Sequence, residues 1–170
     1  MVNWLIKSSA KNLVHKLTFQ LIVFFLSLFL FCGKENYTIP YPSFLDKSST
    51  RTILSADTFC MLINLSDPPK SLTGSEKTQM LLSVDSIGFF ISLMPSKQGS
   101  AIAFQEWISY AEGIKQDKIF LKDIGKKALK FSNSSNNFIV FYKKRFVCII
   151  AGKDSEKVKL YAGKLSEELQ

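Results

Sequence analysis

The chain has 170 residues, 22 lysines and arginines against 14 acids, a net charge of +8, and 46% hydrophobic residues. Its one histidine is His15, so everything after the first few turns of chain lacks the side chain needed for Ser-His-Asp or Cys-His nucleophile activation and for histidine-based zinc sites. Three cysteines without a Cys-x-x-Cys pair also exclude a zinc knuckle and a thioredoxin-like redox site.

Taken in chain order, Lys7, Lys11 and Lys16 lead into the apolar run Leu21 to Phe31, which closes on Cys32-Gly33. Positive charge, a short apolar stretch and a processing site form the layout of an export signal. Phe29-Leu30-Phe31-Cys32 resembles the lipobox of bacterial envelope lipoproteins, in a relaxed form with the bulky Phe31 before the cysteine. That resemblance implies a diacylglyceryl group on the Cys32 sulfur and a protein lipid-anchored to a bacterial membrane, on its periplasmic or surface face. Two other readings stand beside it: an uncleaved single-pass anchor, for which the uninterrupted run is only about half of the roughly 20 residues needed, and a buried helix.

The expected organisation is a signal over 1–31, a tether over 32–50 and one domain over 51–170. Without the leader 139 residues remain, and the net charge falls from +8 to +5 as its three lysines are set aside. Pro40, Pro42 and Lys47-Ser48-Ser49-Thr50 read as the tether. Residues 52–65 read most simply as a strand, followed by a Pro- and Gly-containing loop from Ser66 to Ser75. Gln79–Ser83 and Ile87–Met94 read as two strands broken near Asp85-Ser86, with Gly88 marking a bulge or bend. Phe104, Ile108 and Ala111 recur at helical spacing, with Ser96 or Ser100 as cap and Gly113-Ile114 as a left-handed stop.

Lys118–Leu121 and Asp123–Phe131 follow as strand or turn. Phe138–Tyr142 and Arg145–Ile150 flank Lys143-Lys144 and read as a hairpin. Asp154 caps a last helix with Val158, Tyr161, Ala162, Leu165 and Leu169 on one face. Strands joined by short turns give an α+β domain, a single antiparallel sheet with two amphipathic helices packed on it. From Ile87 onward, Phe104–Trp107, Ile124-Gly125-Lys126-Lys127-Ala128, Phe138–Cys148 and Asp154–Leu169 resemble small exported α+β domains of unknown function, a class that implies no catalytic residues.

Cys60 and Cys148 each lie in an apolar run and stand either as a disulfide closing a long loop or as two buried thiols. Asp85, Glu106, Glu112, Asp117 and Asp123 are the carboxylates available to a histidine-independent glycan hydrolase. Ser96-Lys97 and Ser155 with Lys159 are the available Ser–Lys pairs. Trp107 and Tyr110 are either cleft-lining or core. Lys126, Lys127 and Lys130 form one basic cluster and Lys143, Lys144 and Arg145 a second, able to attract an anionic polymer if the two are neighbours. With Arg51 and Arg145 as the only arginines, a nucleic-acid groove is not expected. The expected function is a membrane-anchored, non-enzymatic binding module without a cofactor, whose partners are the membrane and an anionic surface polymer or protein. The glycan hydrolase and an uncleaved anchor bearing an anion-binding surface remain as alternatives, and oligomeric state is left open.

Overall fold

Two short meanders of β-strand meet edge to edge to form one sheet. This computed structural model describes Gln20, residues 37–69, Ser75, residues 77–114 and residues 116–169. The chain divides into two units, Met1–Asn36 and Tyr37–Gln170, and the sheet belongs to the second. The expected signal sequence and Cys32 lie outside the described residues.

Among the described residues there are seven strands: β1 (Arg51–Ile53), β2 (Lys77–Leu82), β3 (Gly88–Leu93), β4 (Ile119–Leu121), β5 (Lys127–Ser132), β6 (Asn137–Lys143) and β7 (Phe146–Gly152). Their order in the sheet is β1-β2-β3-β7-β6-β5-β4, and every pair is antiparallel. Three helices accompany them: α1 (Ala56–Leu62), α2 (Lys97–Gly113) and α3 (Ser155–Glu168). The α+β class and the antiparallel sheet therefore stand, with one helix more than the two expected. The link from β3 to β4 runs from the middle of the sheet to its far edge, and α2 occupies that crossing.

Period-two alternation sorts the strand residues into two cores. One transverse row, Ile53-Met80-Phe90-Ile149-Val140-Leu129, faces α1 and α2. The adjacent row, Leu81-Phe89-Ile150-Ile139, faces α3. Because both faces are covered, β3 and β7 are buried along their whole length, and their sequences read as nearly continuous apolar runs, with Ser92 the one hydroxyl, rather than alternating ones.

The expected strand over 52–65 is corrected. Only Arg51–Ile53 is extended; Ser55 then caps α1 by accepting a hydrogen bond from the Thr58 amide at 3.1 Å, and Asp57 sits in the helix's first turn. A side-chain acceptor followed by an acid at a helix start outweighs the apolar run, which is too short to fix its own period. Gly88 is not a bulge either, since it pairs in register with both Leu82 and Ala151. Its role is clearance: a Cβ there would lie 2.8 Å from Ile63 Cγ2 and 3.1 Å from Phe59 Cε2, so only glycine lets α1 sit so close to the sheet.

Ser96 caps α2, accepting from the Gly99 amide at 2.9 Å. The helix ends without the expected left-handed stop: Ile114 has φ −84° and Gly113 is absent from the positive-φ positions. Asp154 caps α3 through the Glu156 and Lys157 amides, and Val158, Ala162, Leu165 and Leu169 are buried as expected.

Residues 37–50, expected as part of a tether, lie against the α3 side of the sheet. Leu45 is buried there, and Tyr37, Ile39, Tyr41 and Phe44 pack on the same core. Phe44 stacks on Tyr161 with 5.5 Å between centroids, Tyr37 meets Phe146 edge-on at 5.8 Å, and the Ser43 amide and hydroxyl donate to Glu168. Asp46 orders the following turn: the Ser48 amide and then its hydroxyl donate to the carboxylate, holding its pKa below the ordinary 3.8. This strap belongs to the packed unit.

Candidate functional site

The two basic clusters of the sequence are brought together in the backbone and then separated by the pleat. Lys127 stands opposite Tyr142 in the β5–β6 ladder, and the Lys126 amide donates to the Tyr142 carbonyl at 2.8 Å. Lys127 shares the α2-side face with Tyr142, whereas Lys143 stands opposite Phe146 on the α3 side. One patch holding all six basic residues does not form.

The expected anion patch is largely occupied with the fold itself. Lys143 Nζ donates to the Ser166 carbonyl at 2.7 Å, fastening β6 to α3. Arg145 Nε donates to the Met94 carbonyl at 2.8 Å, and its guanidinium lies 5.4 Å from the Tyr37 ring centre. Lys144 is exposed, with φ +52°, and its carbonyl accepts from the buried Ser100 hydroxyl at 2.6 Å. Because Lys143 pairs with Phe146, the two turn residues are Lys144 and Arg145, not the expected Lys143-Lys144. Lys130 is likewise engaged, donating to Ser155 Oγ at 2.7 Å on the α3 side.

Lys122, Lys126 and Lys127 remain exposed, and they come together at the β4–β5 edge of the sheet. With Gln105 and Ile108 of α2 and Phe120 of β4 they line an open groove of about 500 Å³ at the sheet edge. Phe120 stands opposite Leu129, so its ring lies on the α2 side of the edge strand; it is 57% exposed. Among the described residues no carboxylate lines the groove.

The loop that carries these lysines is fixed by Gly125. Its φ is +61°, and a Cβ there would fall 2.7 Å from the Tyr142 carbonyl oxygen and 2.9 Å from Phe141 Cδ2. Its amide donates to Ser166 Oγ at 2.7 Å. Glycine is the residue that permits both the left-handed turn and the close approach. The loop is therefore tied to β6 and α3 while its lysines face outward.

The remaining chemical candidates are dispersed. Asp85, on the β2–β3 turn, pairs with Lys157 of α3 at 3.2 Å; Glu112 of α2 pairs with Lys118 at 2.5 Å; Asp117 and Asp123 are exposed in separate loops and Glu106 lies on α2. Among the described residues the buried polar side chains are four serines, Ser83, Ser92, Ser100 and Ser166, and no cluster of His, Cys, Asp or Glu has the makings of a metal site. Ser96 Oγ is taken up by capping, and Ser155 pairs with Lys130 rather than Lys159. Neither Ser155 nor Lys130 lines the groove.

Of the two alternatives for Cys60 and Cys148, the structure has the buried thiols and not the disulfide. Cys60 is on α1 and Cys148 on β7, both free and buried, and they belong to the cores on opposite faces of the sheet. A bond would have to pass through the sheet, which the Cα geometry of a disulfide forbids. Burial pushes the Cys148 thiol well above its ordinary pKa; burial and the nearby Asp57 raise that of Cys60. Trp107 is also core: it is fully buried, edge-on to Tyr110 at 5.5 Å and stacked near Phe131, while Tyr110 donates to the Ser66 carbonyl at 2.6 Å.

Comparison with protein-family models, with curated proteins and with solved structures finds no match. Among the described residues no helix is long and apolar enough to cross a membrane.

Proposed function

We propose that this chain is a bacterial envelope lipoprotein, anchored by a lipid on Cys32, whose folded domain is a non-enzymatic binding module. The anchor rests on the sequence alone, a basic leader and an apolar run ending in Cys32-Gly33. The binding role rests on one observation: the groove between α2 and the β4–β5 edge combines an exposed Phe120 and a half-buried Ile108 with three lysines, and no acid among the described residues that line it. Cationic groups around an apolar, concave surface are a recognition arrangement, and a volume of about 500 Å³ lies in the range of small-molecule sites.

Intact mass of the protein extracted from bacterial membranes tests the anchor. The expected mass is that of a chain beginning at Cys32 and carrying acyl groups, and Cys32→Ala should leave the protein unprocessed and unacylated. A mass equal to the whole translated chain without lipid overturns the anchor. Occupancy of the groove is a separate matter, decided by ligand labelling rather than by mass.

A further inference from the structure

The geometry points to the ligand class of this groove: a free single-chain amphiphile with an anionic head, carboxylate or phosphate, and one aliphatic chain. The inference rests on the binding-module reading and deepens it.

The chemistry of the lining, the sheet edge and the shape of the groove converge on that class. The lining is split by chemistry, with Ile108 and Phe120 supplying apolar contact and Lys122, Lys126 and Lys127 supplying positive charge, unopposed by any lining carboxylate. A purely anionic polymer would leave the exposed Phe120 uncovered, and a purely apolar ligand would leave three ammonium groups without a counter-charge. An amphiphile satisfies both at once. Lysine fits the head in either chemistry, because its ammonium is a compact point charge that imposes no planar, bidentate geometry.

The sheet edge argues against the main alternative, an added β-strand from another protein. β4 is three residues long, Lys118 and Lys122 flank it, and its Ile119 and Phe120 point to opposite faces. Short, charge-flanked edges are the form that discourages strand addition. The lysines also do not depend on a mobile arrangement, since Gly125 ties their loop to Ser166 and the Lys126 amide is bonded to Tyr142. Concavity separates this ligand from a bilayer: the three lysines line a groove rather than crown a convex face.

The test is photolabelling of the full chain in nanodiscs of zwitterionic phosphatidylcholine, using hexadecanoic acid that carries a diazirine within its chain. Labelled peptides are mapped by mass spectrometry. The expected adducts fall on residues 105–108 and 119–128. Lys126→Gln together with Lys127→Gln should lower labelling there about fivefold, in line with the modest worth of exposed charge pairs. Phe120→Ser should lower it comparably, and both changes are at exposed positions that leave the cores intact.

Four results overturn the inference. Equal labelling by the matching diazirine alcohol removes the role of charge. Competition by inorganic phosphate alone as effective as by unlabelled hexadecanoate makes this an anion site without an apolar requirement, and binding survives as a function while the ligand class fails. Loss of labelling when phosphatidylglycerol replaces part of the phosphatidylcholine assigns the lysines to a lipid surface. Loss of labelling as protein concentration rises shows that a second copy covers the groove. Failure of the lipoprotein reading would appear in the mass of the membrane-extracted chain and leaves these outcomes unaffected.

Discussion

Cys148 shows what a single buried position imposes on the chemistry of its side chain. It lies on the middle strand β7, fully buried among Ile91, Phe141 and Ile150 of the α3-side core. A thiolate there would be an unpaired buried charge, so the neutral thiol is held well past the ordinary 9.0. The sign of the linkage follows from that shift. Below 9.0 the thiol is neutral whether folded or unfolded; above it the unfolded chain ionises first, so stability declines as pH rises beyond 9.0. In the native protein neither Cys60 nor Cys148 should be alkylated by iodoacetamide at pH 8 on a timescale that modifies both in urea. Reduced and non-reduced samples should migrate identically, and a rapid native reaction at Cys148 would contradict its placement. Residue by residue, the sequence made Cys148 legible as an apolar-run cysteine but not which face of the sheet it would take. Cys60 was misread because Phe59 to Ile63 has no decisive period, although Ser55 and Asp57 carried the signal of a helix start.

Among the elements, the strap over 37–50 matters most to the integrity of the α3 layer. It places Leu45 in the core, stacks Phe44 on Tyr161 and ties Ser43 to Glu168 near the end of α3. Leu45→Ala should cost about 2–3 kcal/mol, the range for truncating a buried leucine in a core that collapses partly around the gap. Urea unfolding checks it, and a change below about 0.5 kcal/mol, the range of ordinary surface substitutions, would show that the strap is dispensable. The two long helices and the β6–β7 hairpin were readable because their caps and periods agree: Ser96 with Phe104 and Ala111, Asp154 with Val158 and Leu165. The strap was not readable, since Pro40, Pro42 and the polar string from Lys47 look like linker and its apolar residues follow no regular spacing. The groove was half readable. Lys126 and Lys127 were visible as a cluster, but their union with Ile108 and Phe120 depends on α2 crossing the sheet, a long-range arrangement that no local pattern encodes.

At the scale of the whole molecule, stability should be graded from the middle of the sheet outward. β3, β7 and β6 are covered on both faces and flanked by strands on both edges, whereas β1 and β4 are three-residue edges. Amide hydrogen exchange should therefore be slowest at Phe89–Ile91, Ile139–Phe141 and Val147–Ile150, and fast in Arg51–Ile53 and Ile119–Leu121. Protection of β4 equal to that of β7 would mean that its edge is paired in solution. The sheet also works as a partition wall. Its two interiors are separate clusters of buried side chains, so alterations to the groove side should add to, rather than compound, alterations on the strap side. The exception is the sheet's rim, where Ser166 holds the Gly125 amide and the Lys143 ammonium from beneath. A lineage of such proteins would be free to reshape what the α2 side recognises while the opposite layer keeps the scaffold upright, provided that rim joint is left alone.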